Sequence, residues 1–280
     1  MITVHHGDNL RVLAALADAS FDLIYMDPPF NTGRTQARTQ LRTRRVRDAA
    51  AGGGDRTGFA GARYLTERLG TRAFPDRFDD YLAFLEPRLA EARRVLTPHG
   101  SLFVHLDARE VHYVKVLLDG IFGRASFLNE IVWAYDYGDL TTKRWAPKHD
   151  TILWYARDPK RYTFRGNESD RLPYLAPGLV TPEKRARGKL PTDTWWHTIV
   201  SPTGKEKTGY PTQKPLAILE RIVKVHSKPG DRLLDFFAGS GSFGDAADRH
   251  GRDVVLVDSS AQAIRVMRKR FRGREARFVR

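Results

Sequence analysis

Leu233-Leu234-Asp235-Phe236-Phe237-Ala238-Gly239-Ser240-Gly241-Ser242-Phe243-Gly244 is the stretch that decides the fold. Residues 232–237 read as a strand, the glycines as a tight loop, and the residues after them as a helix. Glycine permits a sharp turn and close backbone approach to a ligand, and a helix N-terminus offers free N–H groups. Seventeen residues beyond Gly241, at the end of the next strand pattern, stands Asp258. A carboxylate there is placed to accept both hydroxyls of a ribose. The loop therefore points to a nucleotide-like ligand. Gly239-x-Gly241-x-x-Gly244 also satisfies the dinucleotide fingerprint, so an NAD(P) enzyme stands as a competing reading at this point.

Outward from this loop, β-type runs alternate with helical patterns, which predicts the α/β class with a parallel sheet. Strands are predicted at 2–6, 21–26, 101–106, 131–135, 151–155 and 253–257. Helices are predicted after Asp8, over 78–96, from Val111 past Leu118, from Pro215, and over 260–271. Pro87 falls inside the 78–96 pattern, where a kink or break is expected. Residues 31–77 and 157–211 read as irregular.

The chain has 280 residues, 41% of them hydrophobic, enough to fill a core. No apolar run approaches the ~18 residues of a membrane span, and the N-terminus lacks the layout of a signal peptide. The expectation is a cytoplasmic protein with no membrane partner. Zero cysteine excludes disulfides, Cys-based zinc sites and a thiolate nucleophile. His5, His6, His105 and His197 show no metal-ligand spacing; they read as structural or surface residues, and no metal is expected.

The net charge of +14 is local. Residues 31–77 carry +7, residues 265–280 another +7, and the remainder sums to zero. Such patches favour a polyanion. The 265–280 block also reads as a helix turning its basic face to water.

A second motif, Asp27-Pro28-Pro29-Phe30, closes the strand 21–26. Two prolines end a ladder abruptly and leave a rigid turn with a carboxylate before it and an aromatic ring at its tip. That set suits a planar group bearing an NH2. Asp27 and the Pro28 carbonyl accept its two hydrogens, and Phe30 stacks on its ring. Trp133 or Tyr135 is placed to hold the opposite face, although the alternating pattern around Trp133 fits a core role equally well.

With both motifs in hand, the chain resembles the β class of S-adenosylmethionine-dependent DNA amino-methyltransferases. In this permuted group the D-P-P-[YF] motif precedes the cofactor loop. Further matching pieces are Gly7-Asp8-Asn9-Leu10, Arg94-Val95-Leu96-x-Pro98-x-Gly100-Ser101-Leu102, Asn129-Glu130-Ile131-Val132-Trp133, Pro147-Lys148-His149-Asp150 and Gly209-Tyr210-Pro211-Thr212-Gln213-Lys214-Pro215. The resemblance implies a doubly wound, Rossmann-like methyltransferase sheet, circularly permuted, with an inserted target-recognition region. Residues 1–135 would form the catalytic half, with 31–77 an Arg-rich loop insertion. Residues 136–210 would form the target-recognition region, and 211–280 the cofactor-binding half.

By the same resemblance the catalytic residues are Asp27, Pro28, Pro29 and Phe30. The S-adenosylmethionine site takes Asp8, Thr212, Lys214, Asp235, Phe237, Ala238, Gly239, Ser240, Gly241 and Asp258. The implied reaction transfers methyl to adenine N6 or cytosine N4 of a base flipped out of duplex DNA, with the leading Asp27 favouring adenine. Methylation at cytosine carbon 5 needs a cysteine and is excluded. Arg42, Arg44, Arg45 and Arg47 are expected to contact DNA from a flap. Lys143, Arg144 and Lys148, with Arg185 and Arg187, are available for phosphates or guanine edges. The resemblance allows a homodimer and a cognate restriction endonuclease. A noncatalytic nucleic-acid-binding protein with the same fold is a third reading.

Overall fold

The computed structural model describes all residues except 46–55, 58–62, 77, 137, 139, 202, 203, 205 and 280. Two compact units are present: Met1–Phe30 with Asp80–Arg280, and Asn31–Asp79.

The larger unit begins with β1 (Ile2–His6), α1 (Asn9–Ala14) and β2 (Phe21–Met26). The smaller unit then contributes β3 (Arg34–Arg45), β4 (Arg56–Thr57) and β5 (Arg63–Asp76), an antiparallel sheet in the order β3-β5-β4. This corrects the expectation of an unstructured Arg-rich loop. Its apolar residues, such as Leu41, Leu65, Leu69 and Phe74, follow no period of two, so no alternation marks the strands, while their threonines favour extended backbone.

The chain returns through α2 (Tyr81–Val95), β6 (Leu96–Leu106), α3 (Val111–Phe122), β7 (Phe127–Ala134) and β8 (His149–Ala156). After α4 (Pro182–Arg187) and β9 (Thr194–Trp196) come α5 (Leu216–His226), β10 (Arg232–Asp235), α6 (Ser242–Arg249), β11 (Asp253–Asp258), α7 (Ala261–Arg270) and β12 (Ala276–Val279). The main sheet has nine strands in the order β12-β1-β11-β10-β2-β6-β8-β7-β9. It is parallel from β12 to β6; β8 runs antiparallel to both β6 and β7.

β2 is a central strand, and its Leu23, Ile24 and Met26 are fully buried, as a parallel strand covered on both faces requires. Leu23 and Tyr25 join a core cluster with Ile218, Ile222, Phe243 and Met267 of α5, α6 and α7. Side chains alternate along a strand, so Ile24 and Met26 face the other way. α2 and α3 lie against β6 and β8. The sheet is doubly wound.

Three expectations change. α2 runs unbroken through Pro87, because Leu85 and Leu89 on either side of it are wholly buried and that packing outweighs the lost hydrogen bond. β8 and β9 lie within 136–210 yet are strands of the main sheet, so the expected target-recognition region is not a separate body. β12 was not anticipated; its parallel pairing with β1 supplies the ladder that its short sequence does not advertise.

Candidate active site

β2 and β10 are neighbours, with Leu23 opposite Leu233 and Ile24 opposite Leu234. Both strands run parallel, so the proline turn after Met26 and the glycine loop after Asp235 leave the same edge of the sheet. Strand order reverses here, which is where open α/β sheets hold their ligands. β11, ending at Asp258, and β1, followed by Asp8, are the next strands outward.

Asp27 is half-buried and Pro28 buried. The Tyr81 hydroxyl, at the start of α2, donates to the Pro29 carbonyl at 2.6 Å and pins the turn. Lys214 is buried, and its ammonium donates to Asp27 Oδ1 at 2.7 Å and Oδ2 at 2.6 Å. The same ammonium lies 4.8 Å from the centre of the Phe30 ring. Lys214 was expected at the cofactor, yet it contacts the carboxylate of the proline motif. Pro215 caps α5 directly after it and fixes where its stem leaves the backbone. Thr212 is exposed, with φ of +48°, a left-handed conformation rare outside glycine.

The glycine loop engages its own backbone donors. Phe237 N–H donates to Asp235, Ala238 N–H to the Val257 carbonyl, Gly239 N–H to Asp258 at 2.8 Å, and Gly241 N–H to the Ala238 carbonyl. Gly239 and Gly241 have φ of +50° and +74°, which explains glycine at both. A Cβ at Gly239 would stand 3.2 Å from the Tyr210 ring, whereas one at Gly244 would stand 2.5 Å from Leu256. The first glycine keeps the loop open; the third serves helix–strand packing.

Burial pushes the Asp235 carboxyl well above the usual range, and Asp27 and Asp258 push it further, against the pull of Lys214. Burial also raises Asp258, partly countered by the Ser260 and Gly239 N–H groups. A loop whose amides are committed to its own carboxyl and carbonyl groups offers few donors to a pyrophosphate. It suits a ligand carrying positive charge, as the sulfonium and ammonium of S-adenosylmethionine do. Asp8 caps α1 through Arg11 N–H at 3.1 Å and meets Arg88 at 3.4 Å. Its neighbour Asn9 donates to the Phe236 carbonyl at 2.8 Å and so ties α1 to the end of β10.

Four residues reach the site without having been singled out for it. Tyr81 braces the proline turn. Tyr25, His105 and Asp150 form a hydrogen-bonded row beside Phe30. His105 is wholly buried, a structural residue as expected, but its ring lies 6.0 Å from that of Phe30. The signal was available: a lone histidine inside the apolar strand 101–106, and the Asp150 that ends Pro147-Lys148-His149-Asp150. Trp133 is buried, with its indole N–H donating to the His197 carbonyl at 2.7 Å. That is a core role, while Tyr135 is half-buried.

The sequence profile of the N6_N4_Mtase family, described as DNA methylase, matches residues 21–269. The chain belongs to this family. Membership makes it a DNA amino-methyltransferase that draws its methyl group from S-adenosylmethionine. Type II methyltransferase M.HpaI of Haemophilus parainfluenzae is 28% identical over 93% of this chain and 71% of its own. The DNA adenine methyltransferase YhdJ of Escherichia coli (strain K12) is 27% identical over 94% and 80%. Among solved structures, the M1.HpyAVI–SAM complex superposes with a TM-score of 0.60 at 20% identity, covering 96% of this chain and 98% of that one. The last likeness is one of fold. NAD(P) chemistry is set aside by the family as well as by the loop.

In this DNA methylase the expected DNA contacts are scattered. Lys143 and Arg144 are exposed in the connection between β7 and β8, and Lys148 is half-buried. Arg185 and Arg187 are exposed on α4. Arg47 and the side chains of Arg42, Arg44 and Arg45 lie outside the described residues. The C-terminal block is not all surface: the Arg270 side chain is 6% exposed and pairs with Asp245 at 2.9 Å while donating to the Ser240 carbonyl at 2.8 Å. Arg274 pairs with Asp245 and Asp248 at 2.8 and 3.0 Å. Part of that charge therefore holds α7 to the glycine loop. Among the described residues no helix is long and apolar enough to cross a membrane.

Proposed function

We propose that the enzyme methylates adenine N6 in duplex DNA, with Asp27, Pro28, Pro29 and Phe30 as the residues that receive the flipped base. The observation that carries this reading is the pairing of β2 with β10, which brings Asp27 and the Gly239–Gly241 loop to one edge although far apart in sequence. Asp27 at the head of the motif and the likeness to a relative named as an adenine methyltransferase favour adenine over cytosine.

The exocyclic nitrogen is a poor nucleophile, because its lone pair is delocalised into the base. Asp27 and the Pro28 carbonyl accept its two hydrogens and favour tetrahedral geometry as the new bond forms. Positive charge develops on that nitrogen, and the Asp27 carboxylate faces it. Phe30 stacks on one face of the base and Tyr135 closes the other. Asp235, Phe237, Ala238, Gly239, Ser240, Gly241 and Asp258 hold the methyl donor, with Asp8 and Thr212 at the margin. When bound, S-adenosylmethionine supplies an electrophilic methyl on a sulfonium. Lys214 joins the residues that hold the donor and at the same time orients Asp27.

Lys143, Arg144 and Lys148 contact DNA from the 136–210 region, and Arg42, Arg44, Arg45 and Arg47 add phosphate contacts. The composition favours action in the cytoplasm, and the resemblance allows a homodimer and a cognate restriction endonuclease; the name of the type II relative favours this last point.

The test is incorporation of labelled methyl into plasmid DNA from a methyltransferase-free host, followed by nucleoside mass spectrometry. N6-methyladenine is expected. N4-methylcytosine alone refutes the adenine assignment.

A further inference from the structure

Four polar side chains cross four neighbouring strands in one hydrogen-bonded row. Tyr25 lies on β2, His105 on β6, Asp150 on β8, and Tyr135 directly follows β7. Tyr25 Oη is 2.8 Å from His105 Nδ1, His105 Nε2 is 3.1 Å from Asp150 Oδ2, and the Tyr135 hydroxyl donates to Asp150 Oδ1 at 3.2 Å.

The row assigns its own protons. Burial pushes the Tyr25 hydroxyl far above its ordinary range, so it stays protonated beside Nδ1. Asp150, as a carboxylate, can only accept, so Nε2 donates to it. Burial opposes ionisation of Asp150, but His105, the charge of Lys214 and the Tyr135 hydroxyl outweigh it and hold the carboxyl below its usual range. The acceptor is thus a carboxylate, and the imidazole is bound at both nitrogens.

A wholly buried ring fixed at both ends is a rigid wall. His105 stands 6.0 Å from Phe30 at 33°, and 5.5 Å from Trp133 edge-on at 86°. Behind it, Tyr25 stacks on Phe243 of α6 at 5.3 Å and 19°. The wall therefore runs from the first turn after the glycine loop to the ring at the tip of the proline motif.

We propose that His105 is a positioning residue for Phe30, locked in one orientation by Tyr25 and Asp150, so that the ring on which the target base stacks is set for methyl transfer. This rests on the role proposed for Phe30. A base displaced by about 1 Å from its productive pose costs up to ~100-fold in rate, which a loosened wall would cause without touching substrate.

Truncating buried His105 risks unfolding, so the test uses Tyr25→Phe, which removes one oxygen, and Asp150→Asn, which keeps the shape. Rates are measured with labelled S-adenosylmethionine on unmethylated plasmid DNA. Each variant should keep its melting temperature within a few degrees and its KM for S-adenosylmethionine, while kcat falls about tenfold. In a Phe30→Leu background Tyr25→Phe should add little, because both changes act through one ring. Wild-type kcat in both folded variants overturns the proposal, as do losses that multiply with Phe30→Leu. Absence of methyl transfer by the wild-type enzyme instead overturns the underlying reading.

Discussion

The Lys214 ammonium donates to both carboxylate oxygens of Asp27, at 2.7 and 2.6 Å, across 187 residues of sequence. The pair ties the segment before α5 to the turn after β2 and places a cation over Phe30. It gives Asp27 a fixed orientation, and it balances a negative charge that lies within reach of Asp235 and Asp258.

Removing the cation should expose that charge. Lys214→Met leaves a mostly buried carboxylate unpaired, a change that costs about 3 kcal/mol in comparable pairs. Urea unfolding should show the loss, and Asp27→Asn combined with Lys214→Met should restore part of it. Strict additivity of the two changes would mean that the pair contributes nothing.

Asp27→Ala should abolish methyl transfer while leaving the affinity for S-adenosylmethionine within a few-fold of wild type, because the role proposed for Asp27 is at the acceptor. Calorimetric titration with the cofactor, run beside the incorporation assay, separates the two effects. Retained turnover refutes the catalytic assignment.

Gly239 and Gly244 should fail differently. Gly239→Ala forces a side chain into positive φ and against the Tyr210 ring, so cofactor affinity should drop together with a modest fall in melting temperature. Gly244→Ala places a methyl 2.5 Å from Leu256, and overpacking of this kind destabilises by about 1–3 kcal/mol. Thermal melts and cofactor titrations of both variants check the division.

His226 sets a pH dependence. It lies 4.3 Å from Trp154 and 4.7 Å from Phe103, ring centre to ring centre, and burial holds its pKa down to about 3 despite a hydrogen bond with the Thr163 backbone. The unfolded chain takes up this proton near pH ~6.5, and the folded protein does not. The contribution is therefore present above pH ~6.5 and is lost as pH falls towards 3, by up to about 1.4 kcal/mol per unit. Urea midpoints between pH 7.5 and 5 should fall more steeply for wild type than for His226→Leu; equal slopes refute the assignment.

Neutralising Arg42, Arg44, Arg45 and Arg47 together should flatten the salt dependence of DNA binding, by about one unit of logarithmic slope for each phosphate that these side chains neutralise. An unchanged slope removes this block from the DNA interface.

Much of this was legible in the sequence because periodicity and punctuation are local. The apolar run of β2 stopped by two prolines, and the run of β10 stopped by glycines, marked strands, loops and class. The motif order identified the family. The small β3-β5-β4 sheet was not legible, since its strands carry no period-2 apolar pattern. The continuity of α2 through Pro87 was hidden for the opposite reason: tertiary packing overrode a local preference.

The sequence by itself determined which residue types stand in each motif: a carboxylate before two prolines, glycines where positive φ is needed, and no cysteine to act as a thiolate nucleophile. It also determined the net charge of +14. Only the tertiary structure decided whom those residues meet. It gave Lys214 to Asp27, committed the loop amides to Asp235 and Asp258, paired Arg270 and Arg274 with Asp245, and set His105 beside Phe30. The reason is physical. Residue type fixes what a group can donate, accept or stack on, but groups far apart in the chain meet only once the sheet order has brought their strands together.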